Sequence, residues 1–500
     1  MRAREDIRLN SYAVELLPFQ IRSIGNEYIA VSGTGDHVFL TPEHAESLIN
    51  GQTSELPLAL QADLKAGFFL GSHHSPGNRR LLVSRISARR ETVTGGPSLH
   101  ILVPTLQCEH SCQYCQVSRS LSDSGYSLSL SNLFAACDSV FESDAPVLTV
   151  EFQGGDPLLR FDLVQAAIDR IQIRNKQEGR TVRFVISSSL HQLTPEMCDF
   201  FGQHDVLLST SIDGPAALHN RNRPSLGRNA YERTVAGIEL ARTRLGHDAV
   251  SALMTTTRAS LACPEAIVDE YVKLGLREIF VRPLSSYGFA KRNLTLLGYR
   301  PEQFYAFYSR AFDRVLYWNR QGKALREVYA SIILNKILSP FDAGYVDLQS
   351  PTGAGQSVLV YNYDGYVYPS DEARMLAETG DTSLRLGPIG AKLEALRQTP
   401  LQQRLVNASL VNRMEGCRTC AYQNFCAPNP VDAQAQFGNM DTPSLETEHC
   451  QRHQWLFDYF FSCLKNAAPD QLDLFHDWAQ PGANSELKHA SAESQVWQGN

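Results

Sequence analysis

The chain has 500 residues, 43% hydrophobic and 20% charged, enough apolar side chain to build the cores of two or three domains. Its 46 Lys and Arg against 53 Asp and Glu give a formal net charge of −7, which argues against a protein that grips nucleic acid by neutralising phosphates. No apolar run reaches the length of a signal-peptide core or a membrane span, so the expectation is a soluble, cytoplasmic protein with no membrane partner. The 11 cysteines are odd in number and clustered, three within 108–115 and three within 417–426. That pattern excludes a secreted disulfide framework and favours metal.

In chain order, residues 1–95 read as a small α+β module. Strand-like runs at 28–32 and 37–40 flank the turn Gly33-Thr34-Gly35-Asp36, and a helix opens at Thr41-Pro42-Glu43. A basic patch at 85–90 is expected to be a solvated linker. From residue 96 to about 325, short β-branched runs (99–105, 147–153, 182–188, 206–212, 250–256 and 278–283) alternate with segments long enough for helices. Such alternation predicts parallel βαβ units. Six units suggest an incomplete (β/α)6 barrel with its site at the C-terminal strand ends; an open doubly wound sheet would give the same string. Residues 326–465 are expected to form a C-terminal domain with a hairpin at Asp364-Gly365, and 466–500 a polar, frayed tail.

Three motifs follow predicted strands. Cys108-Glu-His-Ser-Cys112-Gln-Tyr114-Cys115 places three thiols on one tight loop. They could hold three irons of a [4Fe-4S] cluster and leave the fourth open, or form a zinc knuckle with His110 as a further ligand. Gln153-Gly154-Gly155-Asp156-Pro157 offers two glycines for close backbone approach and one carboxylate. Ser211-Ile-Asp213-Gly214-Pro215, with Arg223 beyond it, adds a hydroxyl, a carboxylate and a guanidinium fork.

Together these motifs resemble the radical S-adenosylmethionine (SAM) enzymes. The Cx3CxφC loop, with Tyr114 as its aromatic residue, is similar to the family's cluster loop. Gly154, Gly155 and Asp156 stand where the family has Gly-Gly-Glu-Pro around the methionyl amine, with Asp in place of Glu. Ser187 and Ser189 fall on the family's Thr-Asn-Gly segment, whose Asn and Gly are missing here. Ser211, Asp213 and Arg223 resemble the fourth-strand segment of the peptide-modifying branch, in which Ser and Arg contact SAM. Cys137, Cys198, Cys263 and Cys463 stand apart from these motifs and read as small apolar residues.

Cys417-x2-Cys420-x5-Cys426, followed by Cys450, resembles one auxiliary-cluster site of SPASM domains, the C-terminal extension of peptide-maturing relatives. Thr352 and Ser370 occupy positions expected to be Cys at the other site. The resemblance therefore implies one auxiliary [4Fe-4S] cluster on Cys417, Cys420, Cys426 and Cys450. A four-cysteine zinc site is the competing reading. Asp371 falls where sulfatase-maturing relatives carry an acidic proton acceptor, and a plain hairpin-edge Asp is the alternative. His449 is expected to be an ordinary surface residue.

Pro104-Thr-Leu-Gln-Cys108 through Arg119, with Ser370-Asp371, resembles the His-Xaa-Ser system radical SAM maturase, B type. The resemblance implies reductive cleavage of SAM to a 5′-deoxyadenosyl radical and hydrogen abstraction from a precursor protein carrying His-Xaa-Ser repeats. A companion radical SAM enzyme and a low-potential electron donor are implied as partners, with residues 1–95 a candidate for leader-peptide recognition. Two other readings stay open: a zinc-stabilised, non-catalytic peptide-binding protein on a degenerate barrel, and a sulfatase-maturase-like enzyme oxidising Ser or Cys.

Overall fold

The computed structural model describes residues 15–71, 76–89, 95–285 and 287–480. The N-terminal module begins with β1 (Glu15–Leu16) and an antiparallel sheet of β2 (Phe19–Ile24), β3 (Glu27–Ser32) and β4 (His37–Leu40), in that order; β5 (Leu70–Gly71) pairs back on β1. Strand β2 was not expected. Thr41 caps helix Pro42–Ile49 as anticipated, its Oγ1 accepting from His44 N at 3.3 Å.

The core strands are β6 (Leu99–Thr105), β7 (Val147–Gly154), β8 (Thr181–Ser187), β9 (Leu207–Ser211) and β10 (Val250–Thr255). The run at 278–283 divides into β11 (Glu278–Ile279) and β12 (Val281–Arg282). Strand order is 6-7-8-9-10-12, every neighbour parallel. The order never reverses, as it must in a doubly wound sheet. The arrangement is therefore the partial (β/α)6 barrel. Along β7 the alternation is plain: Leu148, Val150 and Phe152 are buried against the helices, while Glu151 and Gln153 face the barrel interior.

The break at Phe280 has a local cause. The Val281 amide donates to Glu327 Oε1 at 3.0 Å, while β11 pairs with β13 (Arg326–Glu327) outside the barrel. Glu327 is fully buried and also receives Tyr308 Oη at 2.5 Å. It N-caps helix Val328–Leu338 through Ala330 N.

The C-terminal region is not separate from this sheet. Strand β14 (Val358–Tyr361) lies parallel to β6, pairing Val358 with Leu99 and Tyr361 with Leu102. The predicted hairpin then adds β15 (Tyr366–Tyr368), and β16 (Gly387–Pro388) extends the sheet to nine strands. Two expectations need correcting. Residues 469–479 form a helix rather than a polar tail, because Phe475, Trp478 and Ala479 are buried against the core and Asn335 Nδ2 donates to Ala479 O at 2.7 Å; residues 481–500 lie outside the described set. The basic patch is not a solvated linker. Arg85 pairs with Asp36 at 2.7 Å, and Arg89 donates to Thr34 O at 3.1 Å and Lys336 O at 3.0 Å while lying over the Phe425 ring.

Arg89 is one of several ties holding the N-terminal sheet on the C-terminal region. Arg22 grips Asp458 with two bonds of 2.7 Å, Asn424 Nδ2 donates to Ser32 O at 2.8 Å, and Lys465 pairs with Glu27. His37 and Phe39 meet Phe461 edge-on. Among the described residues no helix is long and apolar enough to cross a membrane.

Burial pushes the Glu327 carboxyl from 4.5 up to about 7. A raised carboxyl contributes its stability fully below pH 4.5 and loses it as pH rises through about 7. Urea unfolding of the wild type at about pH 5 and about pH 8 therefore differs by more than that of Glu327→Gln, whose side chain does not titrate. Equal pH dependence in the two proteins contradicts this assignment.

Candidate active site

The cysteine loop leaves the C-terminal end of β6 and is clamped from two sides. From β7, Gly155 N donates to Thr105 O at 2.9 Å and Asp156 N to Gln107 O at 2.7 Å. A Cβ on Gly154 would stand 2.3 Å from Thr105 O, and one on Gly155 would stand 2.1 Å from Gln107 O. The two glycines are thus required by backbone meeting backbone, before any ligand is considered. From the other side, Phe289 N donates to Cys115 O at 2.8 Å, and a Cβ on Gly288 would strike Gln116 O at 2.1 Å.

The thiols of Cys108, Cys112 and Cys115 share this loop. Burial, then the charges of Asp156, Cys112 and Cys115, raises the Cys108 thiol; burial pushes Cys112 up to about 12. Thiols held neutral this way become ligands when a metal's charge displaces the proton. Among the described residues no three His, Cys, Asp or Glu groups converge as ligands of a single ion do.

Tyr114 anchors the loop. Its hydroxyl donates to Asp213 Oδ2 at 2.7 Å inside the barrel. Asp213 also accepts from Thr255 N at 3.3 Å and pairs with Arg223 at 3.4 Å. Arg223 lies over the Tyr114 ring at 5.3 Å, and its Nε is buried without a hydrogen-bond partner. That Nε faces Asp213 Oδ2 at 3.4 Å without bonding it, and a guanidinium so loosely paired, within electrostatic reach of Cys112 and Cys108, suits an anionic group such as the carboxylate of SAM. Ser211 ends β9 nearby, half-buried.

Several site expectations change. Asp156 is not free for an ammonium: its carboxylate accepts from Leu158 N at 3.2 Å, Ser188 Oγ at 2.7 Å, Ser189 N at 3.2 Å and Ser189 Oγ at 2.5 Å. It bolts the end of β7 to the end of β8, and Ser189 serves that bolt. Ser187 donates instead to Glu151 Oε1 at 2.7 Å, where Gln153 Nε2 also donates at 2.8 Å. Asp213 likewise binds the chain, positioning Tyr114 and Arg223. His110 Nε2 lies 3.1 Å from His191 Nδ1, while its own Nδ1 is buried with no hydrogen-bond partner. The sequence reading missed Glu151 and His191; nothing about either in sequence names its partner across the sheet.

Cys417, Cys420, Cys426 and Cys450 line one cavity with Tyr422, Leu445 and Phe457. Burial, then Cys450, Cys420 and Cys417, raises Cys426; burial, then Cys417 and Cys420, pushes Cys450 up to about 11. The four thiols are half-buried and share one cavity without converging as the ligands of a single ion do; their chemistry is that of cluster or zinc ligands. His449 is a correction: it is buried, and its Nε2 lies 3.0 Å from Ala427 O, bracing the residue after Cys426. Thr352 and Ser370 make local caps, Ser370 accepting from Ala373 N at 3.2 Å. Cys137 and Cys198 are buried as expected; Cys263 and Cys463 are half-buried against the same core.

Asp371 accepts from the buried Arg374 Nε at 2.7 Å, an ion pair within one helix. Its neighbour Glu372 is in a different situation. Burial, then the charges of Asp347 and Asp371, raises the Glu372 carboxyl, with Arg282 at the end of β12 opposing that rise.

Comparison with known proteins fits this geometry. Residues 102–258 match the model of the Radical SAM superfamily. A serine-type anaerobic sulfatase-maturating enzyme of Klebsiella aerogenes is 25% identical over 203 residues, covering 39% of this chain and 48% of that enzyme. An uncharacterized protein of Archaeoglobus fulgidus is 22% identical over 67% of this chain and 75% of its own length. The chain thus spans about half of the curated sulfatase-maturating relative. Among solved structures, anSMEcpe with bound AdoMet superposes with a TM-score of 0.63 at 18% identity, covering 77% of this chain and 98% of that one. SuiB of Streptococcus suis bound to its precursor peptide SuiA gives 0.53 at 13% identity, covering 88% and 100%.

Asp213→Ala leaves Arg223 buried without its counter-charge, so unfolding stability falls by about 3–5 kcal/mol. Tyr114→Phe removes one buried hydrogen bond and costs about 1–3 kcal/mol. Denaturant titration of both variants checks the order; a larger loss for Tyr114→Phe contradicts the network. The superfamily match, the clamped three-thiol loop and the shared fold agree: residues 102–258 are a radical SAM domain, and the chain is an enzyme.

Proposed function

We propose that the chain is a radical SAM maturase acting on a ribosomally made peptide or protein. The observation that carries this is the loop of Cys108, Cys112 and Cys115 beside the buried Arg223, whose Nε makes no hydrogen bond and is paired only loosely with Asp213, at the C-terminal ends of barrel strands. Those cysteines would hold a [4Fe-4S] cluster and leave one iron for SAM. When bound, the pair supplies one-electron reductive cleavage of SAM, from which hydrogen abstraction follows. The chain's own contribution is positional. Tyr114 and Asp213 fix the loop, Arg223 offers its guanidinium to the SAM carboxylate, and Tyr114, Leu284, Ala290 and Leu297 pack as an apolar wall that keeps water from it.

Support for a peptide substrate comes from the neighbours, whose structures hold Cp18Cys peptide and SuiA. The finer reading is a substrate with His-Xaa-Ser repeats, treated beside a companion radical SAM enzyme and fed by a low-potential donor. Cys417, Cys420, Cys426 and Cys450 would hold one auxiliary [4Fe-4S] cluster. Glu372 is better placed than Asp371 to accept a substrate proton, because Arg374 already holds Asp371.

Residues 1–95 would receive the substrate's leader as an added strand. Both outer strands, β2 and β4, are unpaired on their outer sides among the described residues. Ser32 exchanges its bonds with the β4 side, so alternation turns the amides of Ser23 and His37 outward.

Reconstituted protein assayed anaerobically with dithionite should release 5′-deoxyadenosine. Cys108→Ala, Cys112→Ala and Cys115→Ala should each abolish it, and retained production in any of them overturns the assignment. Iron should approach eight per chain, two clusters of four; one zinc and no visible absorption would favour the binding-protein alternative. Ser23→Pro or His37→Pro should weaken binding of the precursor substrate at least about tenfold. If neither does, no leader strand is added.

A further inference from the structure

Beside the cysteine loop lies a cavity of about 400 Å³, within the range of small-ligand sites. Arg258 follows β10, Pro283 and Leu284 follow β12, and Arg300 precedes helix Pro301–Arg320; Glu448 and Arg452, on helix Glu448–Asn466, close the far wall. Three guanidinia thus meet a single carboxylate of the lining. Arg258 and Arg300 are exposed at the mouth, whereas Arg452 Nε is buried with no hydrogen-bond partner. Arg452 also feels Asp347 and Asp432, so the surplus positive charge is greatest at the mouth.

The remaining wall is apolar and stiff. Tyr299 stacks on Phe304 with an interplanar angle of 12°, and its hydroxyl accepts from Leu284 N at 2.7 Å. Tyr305 stacks on Trp455 at 4.3 Å between ring centroids. Leu284 also packs against the Tyr114, Ala290 and Leu297 cluster. One side chain therefore separates this cavity from the aromatic residue of the cysteine loop.

We propose that this cavity binds an acidic side chain of the peptide substrate together with an adjoining apolar residue, and so selects which residue of the peptide is presented. The inference rests on the peptide-maturase reading. Arginine forks at the mouth read the carboxylate in two-bond geometry. A neutral amide in its place leaves those forks unanswered, which is how a site rejects an isostere.

The probes are two fluorescein-labelled peptides, one alternating Glu and Phe and one alternating Gln and Phe, titrated by anisotropy against full-length reconstituted enzyme. The Glu peptide should bind at least about tenfold more tightly than the Gln peptide, and raising salt should narrow the gap. Arg258→Gln combined with Arg300→Gln should remove the preference, and the Lys versions should restore part of it. Both side chains are exposed, and a melting curve confirms that the variants fold. Equal binding of the two peptides, a preference that survives the double variant, or full displacement by inorganic phosphate at the peptide's own concentration would each overturn the proposal. A protein that shows the preference yet never modifies a peptide would sink the maturase reading instead.

Discussion

The site depends on one steric constraint, the contact of the Gly154–Gly155 backbone with the carbonyls of Thr105 and Gln107. No side chain fits between them, so the ends of β6 and β7 are fixed at hydrogen-bond distance. The cysteine loop begins within that contact, and Asp156, one residue on, carries the clamp to β8 through Ser188 and Ser189. Asp213 does the equivalent work across the barrel for Tyr114 and Arg223. Two carboxylates thus lock strand ends by bonds made within the chain, Asp156 joining β7 to β8 and Asp213 joining the end of β9 to Thr255 of β10. A site that must hold reactive groups still is built on rigid element ends in this way.

Much of this was legible in the sequence. β-branched runs gave the barrel strands because each buries one face on helices, and pair register follows from that alternation. The three-thiol loop and the four C-terminal cysteines were visible from spacing alone. What sequence could not supply was the partner of each polar group. Asp156 reads as a ligand for an ammonium until Ser188 and Ser189 are seen to surround it. Nothing near His110 in sequence shows that His191, far along the chain, meets its Nε2. Arg89 reads as linker charge because its acceptor, the carbonyl of Lys336, is a backbone atom with no sequence signature. The break at Phe280 is of the same kind: a distant carboxylate, Glu327, takes an amide that a longer strand would have used.

The two ends of the chain meet over the second thiol group. Arg22 from β2 and Tyr422 from the cysteine segment both bond Asp458, and Arg22 lies over the Tyr422 ring. Its positive charge is felt at Cys420 and Cys450. The N-terminal sheet thus braces Tyr422, a lining residue of the cavity that holds those cysteines. Recognition and cluster housing would share one block of structure.

The pairing of β14 with β6 has a consequence for how the chain comes to exist. The strand that carries the cysteine loop acquires its second neighbour only when residues 358–361 have been made. Until then Ile101 and Val103 sit on an open parallel edge beside an unfinished metal site. Such distant pairings form slowly, and bare apolar edges attract other chains meanwhile. A fragment ending after the barrel would keep that edge permanently, so the smallest unit with the β6 edge covered includes β14. Synthesis must outrun aggregation across some 250 residues, and the first cysteines wait for the last strands.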